Sequence, residues 1–157
     1  MERQTQALEV FEEKTLCVGD REYLFVFPQE ITEERLQGEL ERLINEPAIV
    51  SIDADDVEAM FGNKPKVFVG MAECCYEEEL EQAALAALAM AKRGAEEKEL
   101  TEILIMITGD CSFASINDAV LAVHGQSTEN PPETIFEYCF REDETGELPV
   151  EVMILHG

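Results

Sequence analysis

The stretch KVFVGMAECCYEEELEQAALAALAMAKRGAEEKELTEILIMI, residues 66 to 107, decides the fold class. Lys66 to Gly70 is a short apolar run closed by glycine and predicts a buried strand. Tyr76 to Arg93 is rich in alanine and predicts a long helix with Leu80, Ala84, Ala87, Leu88 and Ala91 facing inward. Small residues on that side permit close packing on a sheet. Ile103 to Ile107 is wholly apolar, so this strand is expected near the sheet centre, covered on both faces or nearly so. Two strands joined by a crossover helix imply parallel neighbours.

Upstream, Lys14 to Val18 and Arg21 to Phe27 are β-rich runs around the turn pair Gly19-Asp20, which predicts a hairpin. Thr32 reads as a helix cap, with Glu33 and Glu34 in the first turn and Ile31 and Leu36 at the spacing of a hydrophobic staple. Leu36, Leu40, Leu43 and Ile44 form its apolar stripe, and Pro47 closes it. Val57, Met60 and Phe61 give a short second helix one buried edge before Gly62-Asn63 and Pro65 stop it. Downstream, Ser115 is expected to cap a helix from Ile116 to His124, with Asp118 at the capping-box position and Gly125 as the stop. Thr134 to Arg141 and Leu148 to Leu155 read as two strands joined by a hairpin turn around Gly146, hence antiparallel. The expectation is α/β (α+β): a mixed four-stranded sheet with helices on one face at least, and an added N-terminal β-hairpin. Residues 1–30 form the hairpin extension in this reading, and 31–157 the main domain.

The 157 residues, 46% hydrophobic and 29% charged, suit one soluble globular core. Thirty-five acidic residues against 11 basic ones, a net charge of −24, argue against nucleic acid and anionic membranes as partners. A cationic partner surface fits that charge, and so does a merely solvated acidic one. Met1 to Glu13 lacks the basic-then-apolar pattern of a signal peptide, and no window approaches ~18 uncharged apolar residues, so a cytoplasmic protein is expected. Five cysteines without Cys-x-x-Cys spacing read as reduced core residues. Cys74 and Cys75 are adjacent, but His124 and His156 lie far off in sequence, so no metal is expected.

Two places carry chemistry. Pro47-Ala48-Ile49-Val50-Ser51-Ile52-Asp53-Ala54-Asp55-Asp56-Val57 delivers three carboxylates to a helix start. One aspartate there is ordinary capping, stabilising by roughly 0.5 to 2 kcal/mol. Three exceed what capping requires, so a capping role and a functional role both stand. The other place is the turn Thr108-Gly109-Asp110-Cys111-Ser112, where a strand end meets a helix. No histidine is placed in sequence to activate Cys111 or Ser112, which weighs against a small enzyme built there.

In order and spacing these segments resemble the C-terminal domain of the tubulin/FtsZ superfamily. The family loop Asn-x-Asp-x-x-Asp-Val is similar to Ser51-Ile52-Asp53-Ala54-Asp55-Asp56-Val57, with Ser51 standing where the family has asparagine. Val67-Phe68-Val69-Gly70 before Glu81-Gln82-Ala83-Ala84 resembles the family's glycine-closed strand and Ala-rich helix. Ile105-Met106-Ile107-Thr108-Gly109 is similar to its strand closing on Ile-Thr-Gly, and Val152 to Gly157 to its last strand.

The resemblance implies that Ser51, Asp53 and Asp56 form an interface. In the family, that loop enters the nucleotide site of the next subunit, and its carboxylates polarise the water attacking the γ-phosphate. The nine glycines of this sequence are all isolated, so no Gly-rich phosphate loop, no nucleotide cofactor and no catalytic residue of its own are expected. At most the chain would supply half of a composite GTPase site. By resemblance it is expected to be a non-enzymatic FtsZ-like domain that meets FtsZ or another tubulin-like GTPase through the acidic loop and modulates its assembly in bacterial cell division. No tail of the kind FtsZ uses to reach membrane tethers follows Gly157, so membrane recruitment is not expected. Thr108, Gly109 and Asp110 are the secondary candidates. The alternative is a homo-oligomeric or small-ligand-binding α/β module that retains only the fold.

Overall fold

Period-two and helical apolar patterns sort themselves into a six-stranded sheet with two helices on each face. The computed structural model describes residues 10–45, 52–96, 101–125, 133–139 and 149–157. In chain order the elements are β1 (Phe11–Val18), β2 (Arg21–Pro28), α1 (Glu33–Asn45), α2 (Ala54–Phe61), β3 (Val67–Cys74), α3 (Leu80–Gly94), β4 (Glu102–Thr108), α4 (Phe113–His124), β5 (Glu133–Cys139) and β6 (Val150–His156). A 3-10 turn, Glu77–Glu79, leads into α3, so that α-helix starts at Leu80 rather than Tyr76.

The strand order is β1-β2-β3-β6-β4-β5. β1 and β2 form the expected antiparallel hairpin, Phe11 opposite Pro28 through Val18 opposite Arg21. Through Phe25 and Val26 of β2, paired parallel to Val67 and Phe68 of β3, the hairpin joins the same sheet. The expected terminal hairpin is corrected: β5 pairs in parallel with β4, while β6 lies antiparallel between β3 and β4. Insertion there gives the apolar β6 two partners and burial on both faces, which a β5–β6 pair at the sheet edge would not provide. The turn around Gly146 lies outside the described residues, as do Arg141, Leu148, Pro47 and Ser51. β2, β3, β4 and β5 run one way, so their carboxyl ends share one edge of the sheet and their amino ends the other.

Side-chain alternation along the central strands feeds two cores. Ile103, Ile105 and Ile107 of β4 pack with α3 and α4, while Leu104 and Met106 pack with α1 and α2. Thr32 Oγ1 accepts from the Arg35 N–H at 3.1 Å, and Ile31 and Leu36 are both buried beside that cap. Leu36, Leu40 and Leu43 are buried as the stripe predicts. Among the cysteines, Cys74 is buried and Cys111 half-buried, but Cys17 and Cys75 are exposed. Strand alternation turns Cys17 outward between buried Leu16 and Val18.

Candidate functional site

The acidic helix start sits at the amino-end edge of the sheet, beside the hairpin. Asp53 is the N-cap of α2 in extended backbone geometry, φ −114° and ψ 178°. Its Oδ1 accepts from the Asp56 N–H at 2.9 Å, and Asp56 Oδ2 accepts from the Asp53 N–H at 2.9 Å. This is a reciprocal capping box with aspartate in both roles. Asp53, Asp55 and Asp56 are all exposed.

The hairpin buttresses this start through three contacts that the sequence does not announce. Arg21 Nη2 of β2 lies 3.3 Å from Asp55 Oδ1, an exposed pair whose energetic value is small. Tyr23 donates its hydroxyl to Glu58 Oε2 on α2; burial, then this hydrogen bond, pushes the Tyr23 hydroxyl well above its ordinary range. At the hairpin turn Gly19 has φ +66°, and a Cβ there would stand 3.3 Å from Ile44 Cδ1 and 3.5 Å from Ala54 Cβ. The turn therefore rests against the end of α1 and the start of α2. Arg21 and Asp55 are 34 positions apart, so no local sequence signal points to this contact.

The second candidate turn lies at the opposite, carboxyl-end edge, so the fold does not bring the two candidates together. Gly109 has φ +149°, and a Cβ there would come 3.0 Å from Val150 Cα and Cγ2, so glycine is required. Tyr138 of β5, itself buried, donates its hydroxyl to the Gly109 carbonyl at 2.8 Å and accepts from the Cys111 N–H at 3.2 Å. Burial pushes the Tyr138 hydroxyl up to about 12. The Ser112 N–H donates to Glu77 Oε1 across from the 3-10 turn. Hydrogen bonds from Ser112, then Ser115, hold the Glu77 carboxyl below its usual range.

Ser112 caps α4: its Oγ accepts from the Ser115 N–H at 3.2 Å. This corrects the expected start at Ser115 and Ile116, since Ser115 occupies the third helical position and Phe113 begins the helix. The extra turn forms because Ser112 can serve the Ser115 N–H while Glu77 serves its own. Asp110 is exposed and Thr108 is buried, with no hydrogen-bond partner for Thr108 Oγ1 among the described residues. Burial raises the Cys111 thiol, and likewise Cys74, a direction opposite to that of an activated nucleophile. No group of three or more His, Cys, Asp or Glu among the described residues is arranged to hold a metal ion. No described helix is long and apolar enough to cross a membrane.

No family model and no curated protein matches this chain. Solved structures do. The empty FtsZ dimer of M. jannaschii superposes with a TM-score of 0.55 at 21% identity, over 77% of this chain and 35% of that one. A W319Y mutant of the same FtsZ gives 0.56 at 21% identity, over 80% and 37%. TubZ-Bt in a helical model of its four-stranded filament gives 0.61 at 13% identity, over 78% of this chain and 32% of that one. The chain thus spans about a third of the length of the structures it matches. At these identities the likeness concerns the fold alone. The chain has the fold of the C-terminal domain of FtsZ and tubulin-like proteins.

Proposed function

We propose that this chain is a non-enzymatic FtsZ-like domain that docks through the acidic start of α2 onto FtsZ or another tubulin-like GTPase and modulates its assembly. The observation that supports this reading most is the pair Asp53 and Asp56. Each commits one named carboxylate oxygen to a backbone N–H, and both side chains are exposed at the edge of a domain that has the FtsZ fold. A rigid, capped helix start presents carboxylates at fixed positions, which suits orienting water or a cation at a partner's nucleotide end. The hairpin contacts through Arg21 and Tyr23 hold that start against the sheet. In this reading the chain blocks or alters subunit addition, since its partner supplies the nucleotide.

The test adds the protein substoichiometrically to polymerising FtsZ and follows light scattering and GTP turnover. The expected result is a change in polymer mass or turnover with the native chain. Asp53→Ser and Asp56→Asn each keep a side-chain acceptor for the helix N-terminus while removing a charge, so they separate docking from capping. Both variants are expected to fold and to lose the effect. An unaltered assembly curve with the native chain would remove the proposal, and micromolar GTP binding by the purified protein would overturn its non-enzymatic part.

A further inference from the structure

Three methionines meet on one face of the sheet. Met71 of β3 and Met106 of β4 each stand directly opposite Met153 of β6. Opposed residues of antiparallel strands share a face, with Cα atoms roughly 4.5 to 5.5 Å apart, so the three side chains form a row. That row belongs to the core that Leu36, Leu40 and Leu43 of α1 help to fill. Met71, Met106 and Met153 are buried, with 7%, 2% and 2% of their surface exposed. All three also line one cavity, whose wall carries Arg35 and Glu39 of α1 and Glu151 of β6. Methionine usually fills irregular gaps in a core, and here a gap remains beside three of them. The cavity measures about 10 Å³, room for one water-sized guest and far short of the roughly 300 Å³ that a small organic ligand takes.

We infer that Met71, Met106 and Met153 form a binding site for one soft monovalent cation of the copper(I) or silver(I) class, held by their thioether sulfurs. A thioether is an uncharged, polarisable donor that suits such ions and offers little to hard cations such as Mg²⁺ or Ca²⁺, which take oxygen. Three rotatable bonds let the two outer side chains swing their sulfurs toward the central one. The carboxylates at the wall do not make this a hard-ion site. Arg42 Nη1 lies 3.4 Å from Glu39 Oε1 and 3.8 Å from Glu151 Oε2, and Arg35 adds a second positive charge. A monovalent guest brings one charge to this balanced group, where a divalent guest brings two.

The experiment uses the full chain, labelled with carbon-13 in its methionine methyl groups and with accessible thiols blocked by iodoacetamide, and titrates it with silver(I) nitrate in chloride-free buffer. One equivalent at micromolar concentration is expected to shift the methyl signals of Met71, Met106 and Met153 together, leaving Met60 and Met90 in place. Mg²⁺ at the same concentration is expected to shift none of them. Met153→Leu keeps the core volume and removes the central sulfur, so it is expected to weaken silver binding at least about tenfold. Met106→Leu is expected to act in the same way, which keeps the test decisive if one variant fails to fold. Met60→Leu, in the same core but away from the cavity, is expected to change affinity less than about twofold. Equal shifts of all the methionines, an unchanged affinity in the Met153 and Met106 variants, or no shift of the three signals at millimolar silver would each overturn the inference.

Discussion

The two faces of the sheet are packed by opposite means. Under α1 and α2 the core is made of large side chains: Phe25, Phe27 and Phe61 with Leu36, Leu40 and Leu43, and a row in which Met71, Met153 and Met106 stand in register across three strands. Under α3 the helix itself contributes the alanines Ala83, Ala84, Ala87 and Ala91 to the core, and the Ala87 backbone lies against Gly70 of β3. One face is held by filling volume and the other by bringing helix backbone close to strand backbone. The first should therefore suffer from lost atoms and the second from added ones.

The largest effect is expected from one extra methyl on the tight face. A Cβ at Gly70 would lie 1.8 Å from the Ala87 carbonyl oxygen, so Gly70→Ala must push α3 off the sheet. A loss of about 4 kcal/mol or more is expected, enough to unfold a marginal domain, and urea unfolding measures it. Near-native stability would mean that the close approach is not what holds α3. On the other face, Leu40→Ala is expected to cost about 3 kcal/mol through the cavity it leaves. An Ala87→Gly change of small cost, set beside it, would sharpen the contrast.

Among the described residues each face also buries a polar side chain at a sheet end, His156 on one and Thr108 on the other, and these two differ as well. On the α3 side, His156 is buried with its Nδ1 2.7 Å from the Glu102 carbonyl oxygen, and burial pulls its pKa down to about 4. The folded state thus favours the neutral ring, while the unfolded chain takes up the proton near its ordinary value of about 6.5. His156 therefore costs nothing above that pH, and stability falls as pH drops from there toward 4, by roughly 3 kcal/mol. Thermal unfolding at pH 7 and pH 4.5 checks this, with His156→Gln expected to flatten the difference.

By strand alternation Thr108 belongs to the opposite face, following Leu104 and Met106. Its buried hydroxyl has no partner among the described residues, so Thr108→Val, nearly equal in shape, is expected to stabilise by about 1 kcal/mol. A lower melting temperature would show that the hydroxyl is satisfied in solution, and would turn attention back to Thr108 as a site residue.

Local chemistry made much of this legible in advance. The stripe on α1, its Thr32 cap, the Gly19-Asp20 hairpin and the alanine face of α3 each follow from residues close together in the chain, where periodicity and side-chain reach act directly. The acidic start of α2 was legible for the same reason, since Asp53 and Asp56 are three residues apart and satisfy each other's backbone. Its hairpin buttress was not, because Arg21–Asp55 and Tyr23–Glu58 join residues more than thirty positions apart. The helix start at Phe113 was missed likewise, since Glu77 takes part in it from another element.

By itself, then, the sequence determined the class, the helices, the buried strands and the two candidate sites, all from short-range pattern. Only the tertiary structure decided the neighbours: β6 entering between β3 and β4, β5 left at the edge, the hairpin joined to the sheet, and the aspartates and the Thr108–Ser112 turn parted to opposite edges. Backbone hydrogen bonds in a sheet are nearly the same for every apolar strand, so which strands pair is settled by how both faces can be covered at once.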